Sequence, residues 1–149
     1  MGTLPTHSAR PIIAAGARER PLGRGVSWLI LLDLHIGGAW VTIVGNGLAG
    51  AWALAAHRLP ALRTRALWWF TVAAQVSMFV QVGLGVAAMS SEGIEAPEVH
   101  VFYGFIALIA IGCLYAYRAQ LEHRLHLLYG FGGLFIMGLG IRALLLVPV

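Results

Sequence analysis

Four long apolar runs, separated by short polar segments, follow a basic N-terminal segment in this chain. A hydrocarbon layer about 30 Å thick is crossed by a helix of roughly 20 apolar residues, and each run reaches about that length. The pattern therefore predicts four transmembrane helices, over residues 27–56, 66–89, 97–117 and 127–147. We expect an all-α integral membrane four-helix bundle over residues 27–149, preceded by a polar basic tail over residues 1–26.

The composition supports this interpretation and excludes several functions. The chain has 149 residues, of which 59% are hydrophobic and 11% are charged, with a mean hydropathy of +0.81. A soluble domain does not keep such a balance, and the four runs leave no room for a separate catalytic domain. The net charge of +4 comes from Arg residues that flank the apolar runs, where they meet lipid headgroups, so we expect membrane lipids and no nucleic acid as partners. The tail has no apolar segment before a cleavage site, which indicates a retained tail and not a signal peptide.

The loop charges predict an orientation in a bacterial inner (cytoplasmic) membrane. The two short outer loops are basic, whereas the middle loop is acidic through Glu92 and Glu95. Short basic loops stay in the cytoplasm, so we expect both termini of this multi-pass protein outside. The basic residues of the two loops are Arg58, Arg63, Arg65, Arg118 and Arg124.

Recurring small residues suggest both an internal repeat and close helix packing. The segment Gly83-Leu84-Gly85-Val86 matches Gly138-Leu139-Gly140-Ile141, and the predicted first and third helices each have a histidine near the start. Two parallel helical-hairpin repeats would give this pattern, and so would the glycine-rich composition by itself. The pairs Gly47 with Ala51 and Gly112 with Ala116 have the small-xxx-small spacing of close helix contacts, within the bundle, to a partner subunit or in a homo-oligomer.

Polar residues within the apolar runs are candidates for structure or for ligand binding. Thr42 and Asn46 lie on one face of the first helix, and Ser77 and Gln81 lie at helical spacing on the second. Such side chains turn away from lipid, either to form interhelical hydrogen bonds or to line a polar cavity for quinone.

His35 and His100 are the candidate cofactor ligands. If the repeat is real, the two imidazoles lie at similar depth on related helices, as the iron of a six-coordinate haem b requires. The alternative is that both are interfacial histidines. Asp33 and Arg142 are expected on the same membrane side and could form an ion pair.

No catalytic residue and no metal site is predicted. The other candidate metal ligands are His57, His123 and His126, on the opposite side from His35 and His100. They lack the thiolate or further carboxylates that would complete a convincing metal site, apart from Glu122.

The four-helix plan with His35 and His100 resembles that of cytochrome b561 and of one half of haem A synthase. This resemblance implies a helical bundle that binds haem through membrane histidines, although those families have more such histidines than this chain. The segments His100-Val101-Phe102-Tyr103-Gly104-Phe105 and Gly138-Leu139-Gly140-Ile141-Arg142-Ala143 are also similar to small four-helix membrane proteins of high-GC bacteria, a group that implies no particular activity.

These observations favour a non-catalytic accessory or assembly subunit of a larger membrane complex, in respiratory or photosynthetic electron transfer, with other membrane subunits as partners. The second hypothesis is a small membrane protein that binds b-type haem or quinone through His35 and His100. A third is a small transporter component, which would require homo-oligomerisation.

Overall fold

The computed structural model describes the backbone of residues 22–92 and 95–146, and the side chains of residues 29–90 and 95–146. This part of the chain is all-helical and contains four long helices. Each of the four is long and apolar enough to cross a membrane. The helices are α1 (Leu22–Arg58), α2 (Arg65–Glu92), α3 (Glu98–Tyr117) and α4 (Leu125–Leu145), with short 3-10 turns at Pro60–Leu62 and Glu122–Arg124.

The predicted four-helix class is confirmed, and the boundaries differ by a few residues. α1 begins at Leu22, so it includes the end of the segment predicted as tail, and the rest of the predicted tail, residues 1–21, lies outside the described residues. α2 continues to Glu92, beyond the predicted end at residue 89, and α4 begins at Leu125 instead of residue 127. Hydropathy marks the apolar part of a helix, whereas backbone hydrogen bonds continue beyond it.

In the turn between α1 and α2, an arginine donates hydrogen bonds to the C-terminal carbonyl groups of α1. Arg63 Nε donates to the carbonyl oxygen of Ala56 at 2.9 Å, and its Nη2 donates to that of His57 at 3.0 Å. These carbonyl groups have no intrahelical partner and carry the negative end of the helix dipole, so a guanidinium ends the helix favourably. Pro60 at the first position of the following 3-10 turn stops α1 from continuing.

α1 and α4 form the closest interface because glycine faces glycine there. A Cβ atom added at Gly50 would lie 2.7 Å from the carbonyl oxygen of Gly130, and one added at Gly133 would lie 2.8 Å from that of Asn46 and 2.9 Å from Gly50 Cα. The two backbones are therefore so close that a side chain at Gly50 or Gly133 would clash with the opposite helix. This is the close packing that the glycine content predicted.

The remaining interfaces are unequal. α1 packs extensively on α2, and α3 packs on α4, but α2 and α3 make far fewer contacts with each other. A pseudo-twofold that related the two hairpins would make the α1–α4 and α2–α3 interfaces equivalent. The described helices do not show that equivalence, so their packing gives no support to the repeat predicted from the sequence.

Large apolar side chains lie on the outer faces of the helices and polar side chains lie inside, as expected of a bundle surrounded by an apolar solvent. Large apolar side chains such as Trp69, Phe131 and Leu145 are exposed, whereas Asn46 and Gln75 are only 1% and 2% exposed. Extended apolar surfaces of this kind mark contact with a membrane or with other proteins. Gly112 and Ala116 are also exposed, so the close contact predicted for them does not occur within the described chain.

Candidate functional site

His35 of α1 and His100 of α3 meet near one end of the bundle. Their ring centroids are 5.9 Å apart and the ring planes make an angle of 70°. The two candidate ligands are separated by most of two helices in the sequence, and the fold brings them together. Both rings line the same cavity.

Each imidazole is held by its Nδ1 atom. His35 Nδ1 lies 3.0 Å from the carbonyl oxygen of Gln81 on α2, and His100 Nδ1 lies 2.9 Å from that of Ala143 on α4. A carbonyl oxygen only accepts, so the contact of His100 places the hydrogen on its Nδ1 atom. His35 Nδ1 also lies 3.2 Å from the donor Gln81 Nε2, and the shorter contact, to the carbonyl oxygen, assigns the hydrogen to Nδ1 of His35 as well. In the neutral imidazoles the Nε2 atoms then keep their lone pairs, and no described residue donates a hydrogen bond to either of them. Metal-binding histidines have this arrangement, with one nitrogen bonded to a carbonyl group and the other left for the metal.

Gln81 and Gly85 fix the position of the His35 ring. Gln81 is 9% exposed, and its Nε2 donates to the backbone carbonyl oxygen of His35, which joins α1 and α2 at this level. One turn later, a Cβ atom added at Gly85 would lie 2.9 Å from His35 Cε1. Because Gly85 has no side chain, the His35 ring can pack directly against α2. Sequence reasoning noted Gly85 only as part of a repeat, and no feature of the sequence marked it as a site residue.

The cavity beside the two rings has a volume of about 610 Å³ and receives residues from all four helices. Its wall is mostly apolar, with Met78, Val82, Tyr103 and Leu139 among its members. Pockets that bind organic cofactors have this size and this character, with a few polar groups that orient the ligand. Here those groups include the two imidazoles.

The four predicted polar residues, Thr42, Asn46, Ser77 and Gln81, divide between the cavity and the α1–α2 interface. Thr42 and Gln81 line the cavity, whereas Asn46 and Ser77 are not part of its described wall. Asn46 Nδ2 donates to the carbonyl oxygens of Thr42 and Ala74, at 2.9 and 2.8 Å, and Ser77 Oγ donates to Ala74 at 2.7 Å. Thr42 Oγ1 makes a longer contact of 3.5 Å to the carbonyl oxygen of Ser77. Asn46 and Ser77 therefore bond to the backbone between helices or within one, and only Thr42 and Gln81 remain candidates for ligand contact.

The other predicted residues lie away from the rings. Asp33 and Arg142 are both exposed, and the ion pair between them stays a prediction. At the opposite end of the bundle, the ring of His126 stacks near Trp68, with 5.2 Å between centroids. In the described ranges, no three His, Cys, Asp or Glu side chains come together in a way that could hold a metal ion.

Comparison of the chain with protein-family models, with curated proteins and with solved structures found no match. The geometry of the cavity and its two histidines is therefore the basis of the functional argument.

Proposed function

We propose that this protein is a small b-type cytochrome of the bacterial cytoplasmic membrane, which binds one haem through His35 and His100 and carries electrons within a larger membrane complex. The observation that supports the proposal is the pair of imidazoles, each fixed through Nδ1 to a backbone carbonyl group and each with Nε2 left as a ligand atom.

The distance between the rings would allow both imidazoles to bind one metal between them. A metal held on opposite sides by one nitrogen from each ring, with bonds of about 2 Å, separates the ring centroids by roughly 6 Å. The separation of 5.9 Å agrees with this value. The apolar cavity would surround a flat hydrophobic macrocycle and exclude water from it.

Two protein ligands define the class of chemistry. A bound haem would supply a one-electron redox couple, and two histidine ligands from the protein would leave no place at the iron for oxygen or a substrate. His35 and His100 would hold the iron in this closed state, while the carbonyl groups of Gln81 and Ala143 make the imidazoles more basic and fix their orientation. Electron transfer between partner subunits follows as the role, which is the non-catalytic subunit favoured by the sequence.

The hydrogen-bonding state of the two imidazoles favours haem over an oxidised quinone as their ligand. The carbonyl oxygens of a quinone need donors, but the Nδ1 hydrogens of both imidazoles are already bonded to protein carbonyl groups. The side-chain amide of Gln81 likewise donates to His35. The ring atoms that remain free are the two Nε2 atoms, whose lone pairs can bind a metal.

The membrane placement is supported by the four apolar helices and by the exposed aromatic and aliphatic side chains on their outer faces. A bundle with polar residues inside and large apolar residues outside avoids the cost of unsatisfied polar groups in lipid.

Haem content tests the proposal directly. The protein is expressed with haem available and purified in mild detergent, and haem per chain is measured together with the reduced-minus-oxidised spectrum. We expect about one haem b per chain, lost in His35→Ala and in His100→Ala. His57→Ala is the matched control, because His57 lies at the other end of α1, and it should retain full haem. A wild-type protein that is folded and free of haem would refute the proposal.

A further inference from the structure

A shallow groove runs along the outside of α3 and α4, at the end of the bundle opposite to His35 and His100. It has a volume of about 470 Å³. Its floor includes Leu114 and Gly132, and a Cβ atom added at Gly132 would lie 2.5 Å from Leu114 Cδ2. Leu128, Phe131 and Phe135 are among its walls, so the groove is apolar along most of its length.

One charged side chain, that of Arg124, lies in the wall of the groove, in the loop that precedes α4. Two other arginines at this end have protein partners: Arg63 bonds to the end of α1, and the guanidinium of Arg118 lies 5.9 Å from the ring centroid of Tyr115. Arg124 is exposed, and its side chain has no hydrogen bond or ion pair to any described residue. It is a free cation at the mouth of an apolar groove.

The groove has the length of one lipid chain in one leaflet. Arg124 and Phe135 are eleven positions apart, and at 1.5 Å per helical residue this corresponds to about 16 Å. Half of a hydrocarbon layer about 30 Å thick is about 15 Å. An acyl chain that begins at the level of Arg124 therefore reaches the middle of the membrane beside Phe135.

From these three observations we infer that the groove between α3 and α4 binds one anionic phospholipid, with an acyl chain along Leu128, Phe131 and Phe135 and the headgroup phosphate on Arg124. Guanidinium groups recognise phosphate through paired, charge-assisted hydrogen bonds. An apolar helix of another protein would fill the groove but would leave Arg124 without a partner. The inference depends on the proposed membrane placement and not on haem binding.

Lipid binding is measured by native mass spectrometry of the whole protein in mild detergent. The probes are phosphatidylglycerol and phosphatidylcholine with identical acyl chains. We expect one phosphatidylglycerol to bind and remain bound at concentrations where phosphatidylcholine does not. Arg124→Gln should weaken phosphatidylglycerol binding by roughly tenfold or more, and Arg124→Lys should restore part of the affinity. Arg58→Gln is the matched control, because Arg58 is exposed at the same end but lies outside the groove, and it should bind as the wild type does.

Three results would overturn the inference. They are equal binding of the two lipids, equal loss of binding in Arg124→Gln and Arg58→Gln, and a dimer mass in place of a lipid adduct. Thermal unfolding of each variant in phosphatidylcholine, where no specific binding is expected, shows whether Arg124→Gln is folded. Haem content is recorded on the same samples, so that failure of lipid binding and failure of the cytochrome proposal are distinguished.

Discussion

Two buried amide side chains in the bundle differ in their hydrogen bonding, since Asn46 lacks a partner in the described chain only for its Oδ1 atom, whereas Gln75 lacks partners for both of its polar atoms. Asn46, 1% exposed, donates to Thr42 on its own helix and to Ala74 on α2. Gln75, 2% exposed, has neither its Oε1 nor its Nε2 bonded to a described residue. A buried polar group stabilises a fold only when its partners are in place, so Asn46 and Gln75 should respond differently to the same substitution.

Asn46→Leu should lower the free energy of unfolding by about 1–2 kcal/mol, because it removes the bond that joins α1 to α2. Gln75→Leu should leave the free energy of unfolding unchanged or raise it, because it removes two unsatisfied polar atoms from the interior. Unfolding by SDS titration in detergent micelles measures both. A marked loss of stability in Gln75→Leu would instead show that Gln75 has partners beyond the described contacts, such as an internal water.

Sequence reasoning selected two histidines that the fold brings together, but it could not predict what holds them. His35 and His100 were identified from residue type and position in the apolar runs, which the sequence displays. Their Nδ1 partners are backbone carbonyl groups of Gln81 and Ala143, which every residue carries and which no residue type marks. In the same way, Asn46 and Gln75 are similar amides in similar runs, and only the packing distinguishes them.

At the scale of helices, the α1–α4 interface depends on glycines whose Cβ would meet backbone atoms. Side chains move when they are crowded, but a backbone opposite a backbone does not, so the whole interface must separate. Gly138, on the same helix, has nothing within 4 Å of an added Cβ. The chain therefore offers a crowded and an open glycine on one helix.

Gly133→Ala should lower the free energy of unfolding by about 1–3 kcal/mol, because the new methyl group would contact Gly50 and the carbonyl oxygen of Asn46. Gly138→Ala should leave it unchanged or raise it slightly, since alanine favours the helix by about 1 kcal/mol over glycine. Thermal unfolding in detergent compares the two variants. Equal effects would contradict the assignment of Gly133 to a close helix contact.

The sequence predicted the positions of the four helices well, but it predicted poorly which helices contact each other. Apolar length determines where helices cross a bilayer, and it is visible along the chain. Which glycine meets which helix is a property of the assembled bundle: Gly133 is used at the α1–α4 interface, whereas Gly112 is exposed on α3. Small residues favour close contact without specifying the partner.

At the scale of the whole molecule, the distribution of charge predicts the side of the membrane toward which the cavity with His35 and His100 lies. The Arg-bearing loops after α1 and after α3 lie at one end of the bundle, and the cavity with His35 and His100 lies toward the other, near Glu95. If short basic loops stay in the cytoplasm, the proposed haem lies toward the outer side of the membrane. Its electron partners would then be reached from that side.

Reporter fusions test this orientation. Alkaline phosphatase, which is active outside the cytoplasm, should be active when fused after residue 96 or at the C-terminus and inactive when fused after residue 61 or 120. A cytoplasmic reporter should give the opposite pattern at the same four positions. An inverted pattern would place the proposed haem toward the cytoplasm, and a pattern without alternation would contradict four crossings.

The most direct test of the proposed haem ligation by His35 and His100 is the electron paramagnetic resonance spectrum of the purified, oxidised protein. Two imidazoles on one ferric iron give a low-spin signal, and ring planes at 70° to each other should make that signal strongly anisotropic. We predict this low-spin spectrum for the wild type, and its loss in His35→Ala and in His100→Ala. A high-spin ferric signal in the wild type, or a low-spin signal that survives either substitution, would contradict ligation of haem by His35 and His100.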